Sequence, residues 1–271
     1  MMMHSPDAGR GDPILNVRQL EVVYNRVATA VQGVSISVSS AEIVTIVGTN
    51  GAGKTTTLRA ISGFLPSEDV AITDGTIQLG GTDLRGLLAH QVSRLGVVIV
   101  PEHDKLFQTM TVADNLNFNL SRRNRHIRDQ VYHYFPRLAE RQNQIAGLMS
   151  GGEKQMLALG MALLCEPTIL LVDELSLGLA PVITEEIMSI LRDINRDLGL
   201  AMLIVEQNAV AALKVASFGY VMEGGRVVFK GSASELLNHE DVKEFYLGGS
   251  DDATRSYRDL KQYSRKRRWW G

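Results

Sequence analysis

The sequence predicts an α/β fold built on an open, mainly parallel sheet. Three observations predict it. Residues 43–47, 97–100, 169–172 and 202–205 are short, almost wholly apolar runs, the pattern of strands covered on both faces. Stretches with helical periodicity lie between them, so strand and helix alternate along the chain. A glycine-rich segment follows the first run directly and leads into a helical stretch over residues 56–63.

Bulk properties set the frame for that fold. The 271 residues are enough for one large domain or one and a half ordinary ones, and the 45% apolar content can fill a core. A net charge of -2 with mixed signs argues against a dedicated nucleic-acid binder. Cys165 is the one cysteine, so no internal disulfide forms, which is compatible with a reducing compartment. No apolar run reaches the ~18 residues of a membrane span. Residues 1–13 are polar and carry no signal-peptide core. The expectation is a soluble, cytoplasmic protein whose membrane role, if it has one, comes through a partner.

In chain order, residues 1–13 read as a flexible leader. Alternation and β-branched residues over 15–24 and 30–38 predict antiparallel strands. Residues 105–147 are more polar and lack buried-strand runs, which predicts a helical insertion beside the sheet. Within it, Thr111-Val112-Ala113-Asp114 is a capping box with Asp in place of Glu, and the amphipathic stretch 122–144 is interrupted at Pro136. Residues 156–164 are apolar nearly all round, as a buried helix would be, and Glu166-Pro167 stops them. Cys165, at the end of that helix, is expected in the core. Ile183, Ile187, Ile190, Leu191, Ile194 and Leu198 form one apolar helical stripe, ended by Gly199. Residues 218–222 and 226–230, joined through Glu223-Gly224-Gly225, predict a hairpin. Short helices follow to Leu247. The tail, 249–271, ends in Arg265-Lys266-Arg267-Arg268-Trp269-Trp270. It reads either as a segment for an anionic membrane surface or permease face, or as a disordered or locally docked tail.

Three motifs carry chemistry. Gly48-Thr49-Asn50-Gly51-Ala52-Gly53-Lys54-Thr55 fits the phosphate-binding loop G-x-x-x-x-G-K-[ST] in its required strand–loop–helix context. Its glycines let backbone N–H groups curl round phosphate oxygens, and the helix beginning at Thr56 adds a partial positive charge. Lys54 can reach the β- and γ-phosphates and the Thr55 hydroxyl can bind Mg²⁺. The second motif is an apolar strand ending in Asp173-Glu174, a Walker B pattern. Asp173 would hold Mg²⁺ and Glu174 would polarise the water that attacks the γ-phosphate. The third, Met149-Ser150-Gly151-Gly152-Glu153-Lys154-Gln155, places a serine and two glycines before a helix, another anion nest.

The third motif resembles the signature of ABC ATPases, and the likeness extends over nearly all of residues 14–248. The resemblance implies a P-loop NTPase of the ABC type: a mainly parallel sheet core, an antiparallel β subdomain and a helical subdomain at about 105–147. It implies that Ser150, Gly151, Gly152 and Glu153 cap the γ-phosphate held by the loop of an opposite subunit, in a head-to-tail dimer. Ser176-Leu177-Gly178-Leu179-Ala180-Pro181, Val205-Glu206-Gln207-Asn208-Ala209 and Tyr246-Leu247-Gly248-Gly249 resemble LivF-type subunits of branched-chain amino-acid importers. Carried over by position, Tyr24 matches the aromatic that stacks on adenine. Glu102 occupies the Q-loop position, which senses Mg²⁺ and the γ-phosphate. Residues 176–180 match the D-loop, and Gln207 stands at the switch-histidine position. An amide there can donate a hydrogen bond but cannot titrate near neutral pH. Leu175, Met161 and His103-Asp104 depart from the common family pattern.

The resemblance thus implies an ATPase that uses ATP and Mg²⁺ and powers an importer from the inner face of the membrane. Its expected partners are integral membrane permeases, a second ATPase subunit of LivG type (or a second copy), and indirectly a substrate-binding protein; no nucleic acid is expected. Branched-chain or other hydrophobic amino acids lead as substrate, with urea, amides or small aromatic acids as alternatives. The rival of another class is a soluble ABC ATPase acting on nucleic acid or ribosomes. A polynucleotide-stimulated ATPase assay separates the two.

Overall fold

The computed structural model of the chain describes residues 11–65, 69–103, 105–118 and 125–246. The leader up to residue 10 and the tail 249–271 lie outside the described residues.

Five strands run parallel in the central sheet: β3 (Ile43–Gly48), β6 (Val97–Val100), β7 (Ile169–Asp173), β8 (Ala201–Glu206) and β9 (Phe218–Glu223). β10 (Arg226–Ser232) closes the β9 edge as the antiparallel hairpin the sequence predicts. The strand order is β10-β9-β3-β8-β7-β6. The apolar runs are continuous because alternate residues feed different cores. Ile43, Leu170, Val172, Met202 and Ile204 pack on one face with the helical insertion. Val44, Ile46, Ile169, Leu171, Leu203 and Val205 pack on the other face.

That second face is covered by α1 (Lys54–Ser62) and an antiparallel sheet in the order β2-β1-β4-β5. β1 is Pro13–Tyr24, β2 Ala28–Ser39, β4 Val70–Leu79 and β5 Thr82–Asp83. The first two match the sequence reading. β4 was not legible in the sequence. Much of it is solvated, Gly75 interrupts it, and its apolar residues are split between the two ends with only Ile77 and Leu79 buried, so the period-2 signal is weak. α2 (Ala89–Arg94) leads into β6.

The helical insertion comprises α3 (Val112–Asn117), α4 (Arg125–Tyr134) and α5 (Pro136–Glu140), followed by a 3₁₀ turn at Ala146–Leu148. Its two ends are tied together. Thr111 and Ile145 form an antiparallel bridge, and the Ala146 N–H donates to Met110 O at 2.9 Å. The Thr111–Asp114 capping box forms as read: Thr111 Oγ1 accepts from Asp114 N at 3.1 Å. Buried Asn115 locks α3 onto the segment after β6 by bonding both the N–H and the carbonyl of Phe107.

α6 (Gly151–Leu163) is packed nearly all round, as its composition requires. Cys165 just beyond it is exposed, a correction to its expected place in the core. α6 ends at Leu163, and Glu166 then adopts a positive φ of 50°, which turns the chain out before β7. α7 (Pro181–Leu198) starts with Pro at its first position and ends on Gly199 in the left-handed conformation, φ 62°. α8 (Ala209–Val215), α9 (Ala233–Asn238) and α10 (Glu240–Tyr246) form a third packed cluster against Val47 and Val221.

Candidate active site

The parallel strands β3, β8 and β7 end side by side, and the chemistry-bearing residues follow from those ends. In the register, Val47 faces Glu206 and Asp173 faces Val205. β3 delivers the phosphate-binding loop. Its glycines are dictated by geometry: Gly53 has φ 95°, and a Cβ there would lie 2.6 Å from Ala30 O. Gly48 has φ 155°, and a Cβ there would lie 2.2 Å from Met222 O. No side chain fits either position without moving backbone.

Lys54, 4% exposed, uses its three protons on three acceptors. Its Nζ donates to Gly48 O at 2.9 Å and Thr49 O at 3.1 Å, and pairs with Glu174 Oε1 at 3.1 Å. The loop lysine and the acid after β7 therefore face one another across the same space. Beside them, Thr55 Oγ1 donates to Asp173 Oδ1 at 3.0 Å. Burial pushes the Asp173 carboxyl up to about 6; the Thr55 hydrogen bond opposes that shift, and the charges of Glu174 and Glu102 add to it. A hydroxyl and a carboxylate already 3.0 Å apart at the mouth of the loop form a hard-oxygen donor pair that fits Mg²⁺.

A cleft of about 450 Å³ opens here, lined by residues 50–56 with Ala30, Glu102, Glu174 and Leu177. Tyr24, at the end of β1, places its hydroxyl 3.4 Å from Thr56 Oγ1. Glu102 reaches the cleft from the segment after β6 and pairs with His103 Nε2 at 3.1 Å. Gln207 does not line this cleft. It lines a neighbouring one of about 280 Å³ with Ser176, Asn208 and Glu206. Glu174 and Leu177 border both clefts, so Glu174 stands on the ridge between the loop and Gln207.

Ser150, Gly151, Gly152 and Glu153 are elsewhere. None of them lines the loop's cleft. Ser150 caps α6 in a full capping box: its N–H and hydroxyl both donate to Glu153 Oε2 at 2.9 Å, and its oxygen accepts from Glu153 N. Glu153 also pairs with Arg141 at 2.7 Å. Its carboxylate is thus committed to shaping the helix start and tying it to the insertion.

Two residues of the site were not singled out from sequence. Lys105 donates to Gln155 Oε1 on α6. Burial pulls its ammonium down to about 8, against the charges of Asp173, Glu102 and Glu206. Nothing in its sequence context marks it. Glu206 is fully buried, with its carboxyl held by Ser176. Its signal was an acid closing an otherwise apolar strand, beside the more conspicuous Gln207. Burial pushes Glu206 from its ordinary 4.5 up to about 7, opposed by the Ser176 bonds. The folded state thus keeps a proton that the unfolded chain releases near 4.5. This favours folding fully below pH 4.5, and the benefit is lost as pH rises through about 7. A shift of that size corresponds to roughly 3 kcal/mol. Replacing the carboxyl by an uncharged amide removes the dependence. The stability of Glu206→Gln relative to the parent should therefore rise between about pH 5 and pH 8, read by urea unfolding at each pH.

With this geometry in place, the comparison with known families becomes decisive. Residues 31–176, which span the loop, the Ser150 cap and the Asp173-Glu174 pair, match the family described as ABC transporter. The chain belongs to the ABC transporter family. An ABC relative from Pseudomonas aeruginosa, the high-affinity branched-chain amino acid transport ATP-binding protein BraG, is 41% identical over 240 residues, covering 87% of this chain and 100% of BraG. The probable branched-chain amino acid transport ATP-binding protein LivF of Archaeoglobus fulgidus is 33% identical over 219 residues, covering 79% of this chain and 91% of that protein. The crystal structure of an ATP-binding cassette of an ABC transporter in its ADP conformation has the same fold. Its TM-score is 0.77 at 23% identity, covering 88% of this chain and 100% of that one.

Proposed function

We propose that this chain is the ATP-hydrolysing subunit of an ABC importer for branched-chain or other hydrophobic amino acids. The observation that carries the reading is the full-length likeness to BraG, laid over a site in which Lys54, Thr55, Asp173 and Glu174 converge. The loop's backbone N–H groups and Lys54 bind the β- and γ-phosphates of ATP. Tyr24 stacks on adenine. Thr55 and Asp173 would hold Mg²⁺, with Glu102 beside them, and the bound cation supplies neutralisation of charge on the phosphate oxygens. Glu174 orients a water and accepts its proton as the water oxygen bonds to the γ-phosphorus. The bond to the β–γ bridging oxygen breaks, leaving ADP and inorganic phosphate. Gln207 donates from its amide to a γ-phosphate oxygen. Electrostatic positioning carries most of such a reaction.

Ser150, Gly151 and Gly152 do not reach this chain's own loop. In this reading they close over the nucleotide of a second ATPase subunit, and that subunit's signature closes over this one. A LivG-type partner gives a heterodimer; a second copy gives a homodimer. No described helix is long and apolar enough to cross a membrane. In this reading the assembly sits on the inner face of the membrane through permease subunits contacted by the helical insertion, and a separate binding protein delivers substrate.

Replacing Tyr24 by Ala removes a stacking surface worth roughly 1–3 kcal/mol per base. The expected result is ATP affinity weakened about tenfold or more at little change in turnover at saturation, read by titration with a fluorescent nucleotide. For the transport role, cells lacking this chain should lose uptake of labelled leucine, isoleucine and valine. The parental chain should restore it and Glu174→Gln should not. Uptake that survives the deletion would remove the substrate assignment, leaving urea, amides and small aromatic acids as the next candidates to test.

A further inference from the structure

The turn that carries Glu174 is held in an unusual way. Glu174 has a positive φ of 45°, a left-handed backbone that side-chain-bearing residues adopt at a cost. Its N–H donates to Val205 O at 2.9 Å. Two residues on, the Ser176 N–H donates to Glu206 Oε1 at 3.0 Å, and the Ser176 hydroxyl donates to Oε2. The N–H groups of Glu174 and Ser176 thus both close on the end of β8, the second on a buried carboxyl. The group that holds this turn is the protein's own buried carboxyl. Gln207 follows Glu206 directly, so one residue anchors both the Glu174 turn and the start of the Gln207 segment. Among the described residues the Glu206 carboxyl hydrogen-bonds Ser176 and none of Lys54, Thr55, Asp173 or Glu174, so it acts through Ser176.

We infer that Glu206 is a positioning residue for ATP hydrolysis: its carboxyl holds the N–H and hydroxyl of Ser176 and thereby fixes the backbone that aims Glu174 at the attacking water. The inference rests on the hydrolytic reading of Glu174. A misplacement of about 1 Å at such a group costs on the order of a hundredfold in rate, so the effect should fall on kcat and spare ATP binding.

The test uses the ATPase complex that co-purifies with the tagged full chain, and the same complex carrying one of four variants: Glu206→Ala, Glu206→Gln, Ser176→Ala and, as a control, Glu174→Gln. Steady-state ATPase kinetics are read beside ATP affinity. Glu206→Ala should lower kcat roughly tenfold to a hundredfold with ATP affinity within about twofold of the parent. Glu206→Gln keeps one acceptor for the Ser176 N–H and offers its amide to the hydroxyl oxygen, so it should recover kcat to within about threefold. Ser176→Ala, at a partly exposed position, should lose about threefold to tenfold in kcat, and it decides the matter alone if Glu206→Ala fails to fold. Parental kcat in both Ser176→Ala and Glu206→Ala would overturn the inference. So would a loss of affinity equal to the loss of turnover. If Glu174→Gln also turned over at the parental rate, the hydrolytic reading itself would fail; if only Glu174→Gln were impaired, the inference about Glu206 would fail and that reading would stand.

Discussion

Glu174→Gln is expected to bind ATP and to hydrolyse it roughly 10²–10⁴-fold more slowly, the span a positioned general base contributes. The substitution keeps shape and hydrogen-bonding reach but removes the group that accepts the proton. It also removes one charge of the pair with Lys54 at 3.1 Å, so the ammonium is freer to engage a γ-phosphate. ATP affinity should therefore hold or rise while turnover falls, and the ATP-bound dimer with its partner should accumulate. Single-turnover hydrolysis and size-exclusion with ATP check the two halves. Undiminished turnover would take Glu174 out of its role.

Lys54→Ala should fail at an earlier step. Lys54 is the buried cation at the loop, held by Gly48 O, Thr49 O and Glu174. Its loss removes the positive charge that meets the γ-phosphate, and turnover should fall roughly 10²–10³-fold, with ATP affinity falling as well. The partner carboxylate, itself largely buried, is left without its cation, so the fold should also lose stability, by up to about 3 kcal/mol. Fluorescent-nucleotide binding and thermal unfolding read the two effects. The contrast is diagnostic: the Glu174 variant retains ATP and cannot cleave it, whereas the Lys54 variant does not retain it.

Much of this was legible in the sequence, for physical reasons. Parallel strands buried on both faces must be apolar throughout, so residues 43–47, 97–100, 169–172 and 202–205 announced the sheet. The loop glycines were legible because only glycine fits φ 95° at Gly53 or the approach of Met222 O at Gly48. The Thr111 and Ser150 caps were legible because capping boxes are local. What the sequence hid was non-local. β4 pairs with β1 through a solvated, irregular stretch. Lys105 meets α6 only after the insertion folds back. Glu206 reads as one more acid until the fold buries it against Ser176, 30 residues earlier in the chain. Residues 150–153 do not line their own chain's loop cleft, an arrangement that the family resemblance implied and the letters alone did not. In the proposed chemistry a second subunit supplies the signature that closes over this loop.

The reading most worth testing is that this chain powers a transporter whose membrane-spanning subunits are separate chains. It is tested most directly by tagged purification of the chain from detergent-solubilised membranes of its native host, with mass spectrometry of whatever accompanies it. Two integral membrane permeases and a second ATPase subunit are expected with it, and recovery should be enhanced for Glu174→Gln in ATP. Recovery of the chain alone from the soluble fraction, or together with ribosomes or nucleic acid, would contradict it.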